Sequence, residues 1–125
     1  MVNMGLSTEI LPHDKSSILL VAHIKSKNAT ERAFTVNQKN GDYLIVVKEI
    51  PSGIKSGFIE ADELNLYTKK DLMPKDEDWT ILPAAEFDDV ASIILPKNKV
   101  FDIKVILSKD DDEVFAEKII FTGKD

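Results

Sequence analysis

Between Val100 and Thr122 the chain runs through apolar and polar residues in alternation twice, with an acidic stretch between, and no other segment restricts the possible folds as much. In Val100-Phe101-Asp102-Ile103-Lys104-Val105-Ile106-Leu107-Ser108 the residues Phe101, Ile103, Val105 and Leu107 recur every second position. That is the period of a strand with one face in a core. Lys109-Asp110-Asp111-Asp112-Glu113 follows, and Val114-Phe115-Ala116-Glu117-Lys118-Ile119-Ile120-Phe121-Thr122 completes a second run. Pairing Ser108 with Val114 sets Leu107 against Phe115, Ile103 against Ile119 and Phe101 against Phe121. This register gathers nearly all the large apolar side chains on one face, and a one-residue slip would scatter them. Glu117 opposite Val105 is the one position that does not fit. The segment reads as a closing β-hairpin with an acidic tip.

The preceding chain has the same short-strand character. Residues 1–16 read as a short edge strand or an irregular arm ending near Pro12. Ser17–Ser26 is a strand with Leu20, Ala22 and Ile24 on one face; its start is apolar on both faces, which places it inside a sheet. Glu31–Val36 is the next strand, and Asn40-Gly41 is a type I′ turn signal that would pair Val36 with Ile45, Phe34 with Val47 and Arg32 with Glu49. Residues 51–57 form a loop, Glu63–Tyr67 a strand, and Thr68–Asp78, polar and broken by Pro74, a long exposed connection. Trp79–Leu82 is extended. Ala84–Leu95 fits either helical spacing or a strand over Val90–Leu95, and the compact turn Pro96-Lys97-Asn98-Lys99 leading into Val100 favours the strand. Seven to nine short strands with no long helical window predict an all-β chain: one domain over residues 1–125, a two-sheet antiparallel β-sandwich.

At the level of fold, this pattern resembles bacterial immunoglobulin-like domains. Within that class the stretch His23-Ile24-Lys25-Ser26-Lys27-Asn28-Ala29-Thr30-Glu31-Arg32-Ala33-Phe34 is similar to the corresponding part of intracellular proteinase inhibitors of the BsuPI type: a strand ending in Lys-Asn, a Thr-Glu-Arg turn, a second strand. Tyr43-Leu44-Ile45-Val46-Val47 extends the similarity, which covers about 25 residues of common types. It implies proteinase inhibition as an alternative function and assigns no functional residue.

Charge narrows the partners. Residues 1–62 hold 7 basic and 7 acidic side chains, and residues 63–125 hold 9 and 15, so the net −6 belongs wholly to the second half. No basic stripe is present to neutralise phosphates, which argues against nucleic acid and anionic membrane. Cations or a basic protein surface are the partners such a field favours. The chain has no cysteine, hence no disulfide and no thiolate chemistry. With no signal-like N-terminus and no apolar stretch of spanning length, a soluble cytoplasmic protein is expected, with export after signal removal as the alternative.

Several clusters have the composition of sites. Asp110 and Asp112 of the acidic tip, with Asp88 and Asp89, contain the oxygen ligands a calcium ion takes, and such a site would suit a calcium-dependent carbohydrate- or surface-binding domain. The spacing is not that of an EF-hand, and charge at a hairpin end also serves solubility, which is the favoured reading. His13 and His23 lack metal-binding spacing and read as structural or solvent-facing. Gly53-Ile54-Lys55-Ser56-Gly57 lacks the order of a phosphate loop. No nucleophile elbow occurs, so no catalytic residue is assigned and no enzyme is expected. Asn28-Ala29-Thr30 matches an N-glycosylation acceptor, which matters only in a secreted eukaryotic protein. Trp79 reads first as a plug between sheets. As an alternative anchor it would combine with Tyr67, Asp76, Glu77 and Asp78 around the long connection into a partner-binding surface. The function expected is a non-catalytic protein-binding module.

Overall fold

The computed structural model describes residues 2–51, 64–73, 77–109 and 112–123. Nine strands follow in chain order: β1 Val2–Pro12, β2 Ser17–Asn28, β3 Phe34–Asn37, β4 Tyr43–Ile50, β5 Asn65–Asp71, β6 Asp78–Ile81, β7 Glu86–Pro96, β8 Val100–Lys109 and β9 Asp112–Phe121. All their pairings are antiparallel, and the ladders run β1-β2-β7, β3-β6 and β5-β4-β8-β9. The described residues contain one 3-10 turn, Gln38–Asn40, and no α-helix. The all-β expectation and the strand number therefore hold. Hydrogen bonding divides the strands into three sheets where two were expected, because β3 and β6, four residues each, bond to one another alone.

Alternation supplies the core. Ile18, Leu20, Ala22 and Ile24 of β2, Ala91, Ile93 and Leu95 of β7, Tyr43, Ile45 and Val47 of β4, and Phe101, Ile103, Val105 and Leu107 of β8 are all buried and pack in one cluster. β2 is the central strand of its sheet, as its two-sided apolar start required. The ambiguous stretch before Pro96 is the eleven-residue strand β7, and the N-terminal arm is a full edge strand, β1.

Three expectations are corrected. Asn40-Gly41 does not close a two-residue hairpin: Gln38–Asn40 forms a 3-10 turn, Gly41 takes a φ of 66°, and the chain crosses to another sheet. Phe34 and Val36 pair with Ile81 and Trp79 of β6 rather than with β4. Both runs do turn their apolar residues inward, and alternation alone does not say which strand lies beside which. The exposed connection expected over Thr68–Asp78 is shorter than expected: β5 extends to Asp71 and β6 begins at Asp78, and among the described residues between them Met73 is buried. Finally, the closing hairpin is one residue out of the expected register: Leu107 meets Val114, Val105 meets Ala116, Ile103 meets Lys118 and Phe101 meets Ile120.

At the tip this register pairs Lys109 with Asp112. At the other end a side-chain contact holds it: buried Thr122 donates from Oγ1 to the Pro96 carbonyl at 2.6 Å and accepts from the Lys99 amide at 3.1 Å. Thr122 must point inward to do this, so the even-numbered residues of β9 point inward with it. Phe115, Ile119 and Phe121 are thereby turned to the outer face, 52%, 60% and 59% exposed. The predicted loop at Pro51–Gly57 lies outside the described residues beyond its first position.

Candidate functional site

The outer face of the β5-β4-β8-β9 sheet is built from rungs that the register defines. Phe115, Ile106, Leu44 and Asp71 form one; Glu117, Lys104, Val46 and Lys69 the next; then Ile119, Asp102, Lys48 and Leu66; then Phe121, Val100 and Ile50. A bulge between Val47 and Lys48 sets Leu66 opposite Lys48, so Leu66 shares this face and is 58% exposed. The result is a broad apolar surface crossed by two charged rungs. On the two charged rungs the acids Asp102 and Glu117 lie on the β8–β9 half and the ammonium groups of Lys48 and Lys69 on the β4–β5 half, while Asp71 of β5 stands at the rim of the rung beyond. Lys104 is drawn aside, its Nζ 4.2 Å from the centre of the Phe115 ring.

Asp102 is the anomaly of this face. It is only 5% exposed, and its Oδ1 has no donor beside it among the described residues. Burial pushes its pKa up to about 7, the neighbouring Glu117 carboxyl adds to the rise, and the Lys104 and Lys48 charges oppose it. A hydrogen bond between two carboxyls needs a proton on one of them, and the raised pKa keeps that proton on Asp102 towards neutral pH.

The residues expected at a partner surface are distributed differently. Tyr67, 45% exposed at the bulge of β5, stands edge-on to Phe101 with ring centres 5.5 Å apart. Trp79 is half-buried in β6 and packs edge-on to Tyr43 at 6.3 Å, donating from Nε1 to Glu77 at 3.3 Å. Tyr43 pairs with Leu107 and Phe101 with Glu49, at opposite ends of the β4–β8 ladder. Six residues of strand, about 20 Å, separate those ends. Tyr67 and Trp79 thus do not share one surface. Glu77 and Asp78 are exposed and line a cleft of about 210 Å³ with Asn37 and Lys39, while Asp76 lies outside the described residues.

Nor do the acidic residues proposed for calcium gather. Asp88 is exposed opposite Lys25, whereas Asp89 turns inward and accepts the Tyr43 hydroxyl at 2.8 Å. Burial raises the Asp89 pKa, the Tyr43 hydrogen bond opposes the rise, and the Asp88 charge adds to it. Burial and then Asp89 likewise push the Tyr43 hydroxyl up. Asp110 lies outside the described residues, and Asp112 is placed only by its pairing with Lys109. Among the described residues, no group of three or more His, Asp or Glu side chains is arranged to hold a metal. His23 meets Glu9 at 3.4 Å and His13 meets Asp14 at 4.0 Å, both near the surface.

Asn28, the asparagine of the glycosylation pattern, is fully buried. Its Nδ2 donates towards the carbonyls of Arg32 (2.9 Å), Ile81 and Leu82 (both 3.2 Å), and its Oδ1 accepts from the Thr30 amide (3.1 Å) and hydroxyl (2.5 Å). In this fold it has no free amide to glycosylate, and it ties the end of β2 to the β6–β7 connection. Nothing local in the sequence separates such an asparagine from a turn residue. Asp102 was legible as a lone acid in an apolar run, and its burial was not. Compared with known proteins, the chain matches no family model and no curated sequence.

Proposed function

We propose that this chain is a non-catalytic protein-interaction module, an immunoglobulin-like β-sandwich that docks a protein through the outer face of its β5-β4-β8-β9 sheet. The observation that carries the reading is the exposure of Phe115, Ile119 and Phe121 side by side on β9, contiguous with Ile106, Leu44 and Val46. Contiguous apolar patches with charged residues among them are where soluble proteins meet partners, and large aromatic and aliphatic anchors supply most of the binding energy. The two longer sheets both direct apolar faces into one core, which supports the sandwich reading. The negative second half of the chain would speed encounter with a basic patch on the partner.

The test is comparative capture. Immobilised wild type and Ile119→Asp, matched for melting temperature, are exposed to an extract of the producing cells, and retained proteins, including this chain itself, are identified. The variant should lose the proteins that the wild type retains. Identical sets on both would remove this face as the docking surface.

A further inference from the structure

Apart from Lys104 on β8, the two charged rungs of the outer face carry acid on one half and base on the other. Glu117 lies on β9 and Lys69 on β5 of one rung; Asp102 lies on β8 and Lys48 on β4 of the next. A two-fold axis running parallel to the strands, midway between β8 and β4, exchanges these halves and keeps each rung at its own height. We propose that the outer face of the β5-β4-β8-β9 sheet is a self-association surface, on which two copies pack face to face about such an axis, with Glu117 and Asp102 of each set against Lys69 and Lys48 of the other. This rests on the reading of that face as an interaction surface and names its occupant.

The other positions agree. The same axis lays Ile106 over Leu44 of the second copy, Ile119 over Leu66, and Val100 over Ile50, so apolar meets apolar on three rungs. Phe115 falls over Asp71 at the rim, where the Lys104 ammonium resting on the Phe115 ring lies at the same corner. Isologous interfaces require this reciprocity: what one copy offers at i, the other must answer at j, and the reverse.

The alternative two-fold, lying across the strands, places Glu117 on Glu117, Lys69 on Lys69 and Lys104 on Lys104 when it passes through that rung. Midway to the next rung it sets Lys104 over Asp102 but Glu117 over Ile119 and Lys69 over Leu66. The first opposes like charges and the second leaves Glu117 and Lys69 unanswered, so the axis along the strands pairs more of the charges. Aligned sheets pack about 30° apart because each is twisted. The offset this causes is largest at the outer strands, where the long Glu117 and Lys69 side chains bridge it. Four strands about 4.8 Å apart and the seven residues from Val100 to Ile106 at about 3.3 Å each make a face of roughly 440 Å². Two such faces bury about 900 Å², the size of weak, transient interfaces, for which a high-micromolar dimer is expected.

Sedimentation equilibrium of the full chain from about 5 to about 500 µM spans the affinity expected for an interface of this size. The wild type should form a dimer that weakens with added salt. Glu117→Lys and Lys69→Glu should each raise the dissociation constant at least about tenfold. Mixed one to one, the two variants should form a heterodimer, because each then supplies the charge that the other has lost. Both substitutions are at exposed positions, and melting curves identify any variant that has not folded. A wild type that stays monomeric at the highest concentration overturns the proposal. A dimer indifferent to both reversals, or a mixture no more associated than its parts, overturns it equally. The capture comparison with Ile119→Asp does not depend on this outcome: a monomeric wild type that still retains a foreign protein through Ile119 sinks the self-association and leaves the docking face standing.

Discussion

Asn28, fully buried at the end of β2, has its side-chain amide and carbonyl both engaged, whereas Asp102, 5% exposed in the middle of β8, has one carboxyl oxygen with no donor among the described residues. Burial costs a polar group its water in both places. At Asn28 the cost is offset by neighbouring backbone groups, which need the asparagine as much as it needs them: the Asn28 amide also donates to the Ala85 carbonyl at 2.9 Å, and the Asn28 carbonyl accepts from the Ala84 amide at 2.8 Å. At Asp102 it is offset only by a retained proton and by two lysines that pull against it. The first is a structural knot. The second is a standing charge cost on the face where a partner would arrive.

The largest effect is expected at Asn28. Asn28→Ala leaves the buried Ile81 carbonyl and the part-buried Thr30 amide without the side chain that engages them, and should cost about 3 kcal/mol in urea unfolding. A loss under about 1 kcal/mol would show that water replaces the side chain and that Asn28 is not a knot.

Asp102→Asn should act in the opposite direction and more weakly. The amide can donate to Glu117 at every pH, as the protonated acid does, so stability at pH 8 should rise by about 1 kcal/mol in dilute protein. The sign of the pH dependence follows from the raised pKa. The folded carboxyl holds its proton to about 7, while an unfolded one releases it near 3.9, so the wild type loses stability as pH rises through that interval and levels off above it. The variant should show a flatter slope from pH 4 to 7. Superimposable pH profiles would remove the carboxyl pair as the cause. Asp14 is the built-in contrast: the Ser17 hydroxyl and the Ser16 and Ser17 amides hold its pKa down to about 2, so its contribution is present above about 4 and disappears as pH falls towards 2.

The smallest effect is expected at Ala84, held by Asn28 in a left-handed conformation with φ of 65°. Ala84→Gly should relieve the Cβ clash by slightly more than the flexibility it adds to the unfolded chain, for a net gain of about 0.5 kcal/mol. A loss instead would mean that the turn's strain is already relieved elsewhere.

The misread hairpin shows where sequence reasoning failed and what signal it overlooked. Gathering Phe115, Ile119 and Phe121 with Phe101, Ile103 and Leu107 maximised burial, and it left Glu117 facing Val105. In the observed register Glu117 faces Lys104 and Ala116 faces Val105, so the misfit was the clue. A strand at the end of a sheet can leave its apolar residues outside when they serve an interface or when another contact outweighs them, and Thr122 is such a contact. The candidate site was correspondingly half legible: the charged positions of β8 and β9 were visible as letters, and their assembly into one face with β4 and β5 was not.

Local pattern was enough to fix the class of structure. Period-two alternation with punctuating turns makes strands, and it correctly named the buried faces of β2, β4 and β8, because each residue's side follows from local geometry. Only the tertiary structure decided which strands are neighbours, that β3 joins β6 and not β4, and that β9 turns its aromatic face outward. Strand order and register depend on contacts between residues far apart in the chain, such as Thr122 with Pro96 or Asn28 with Ile81. A single hydrogen bond of that kind shifts every side chain of a strand from one face to the other.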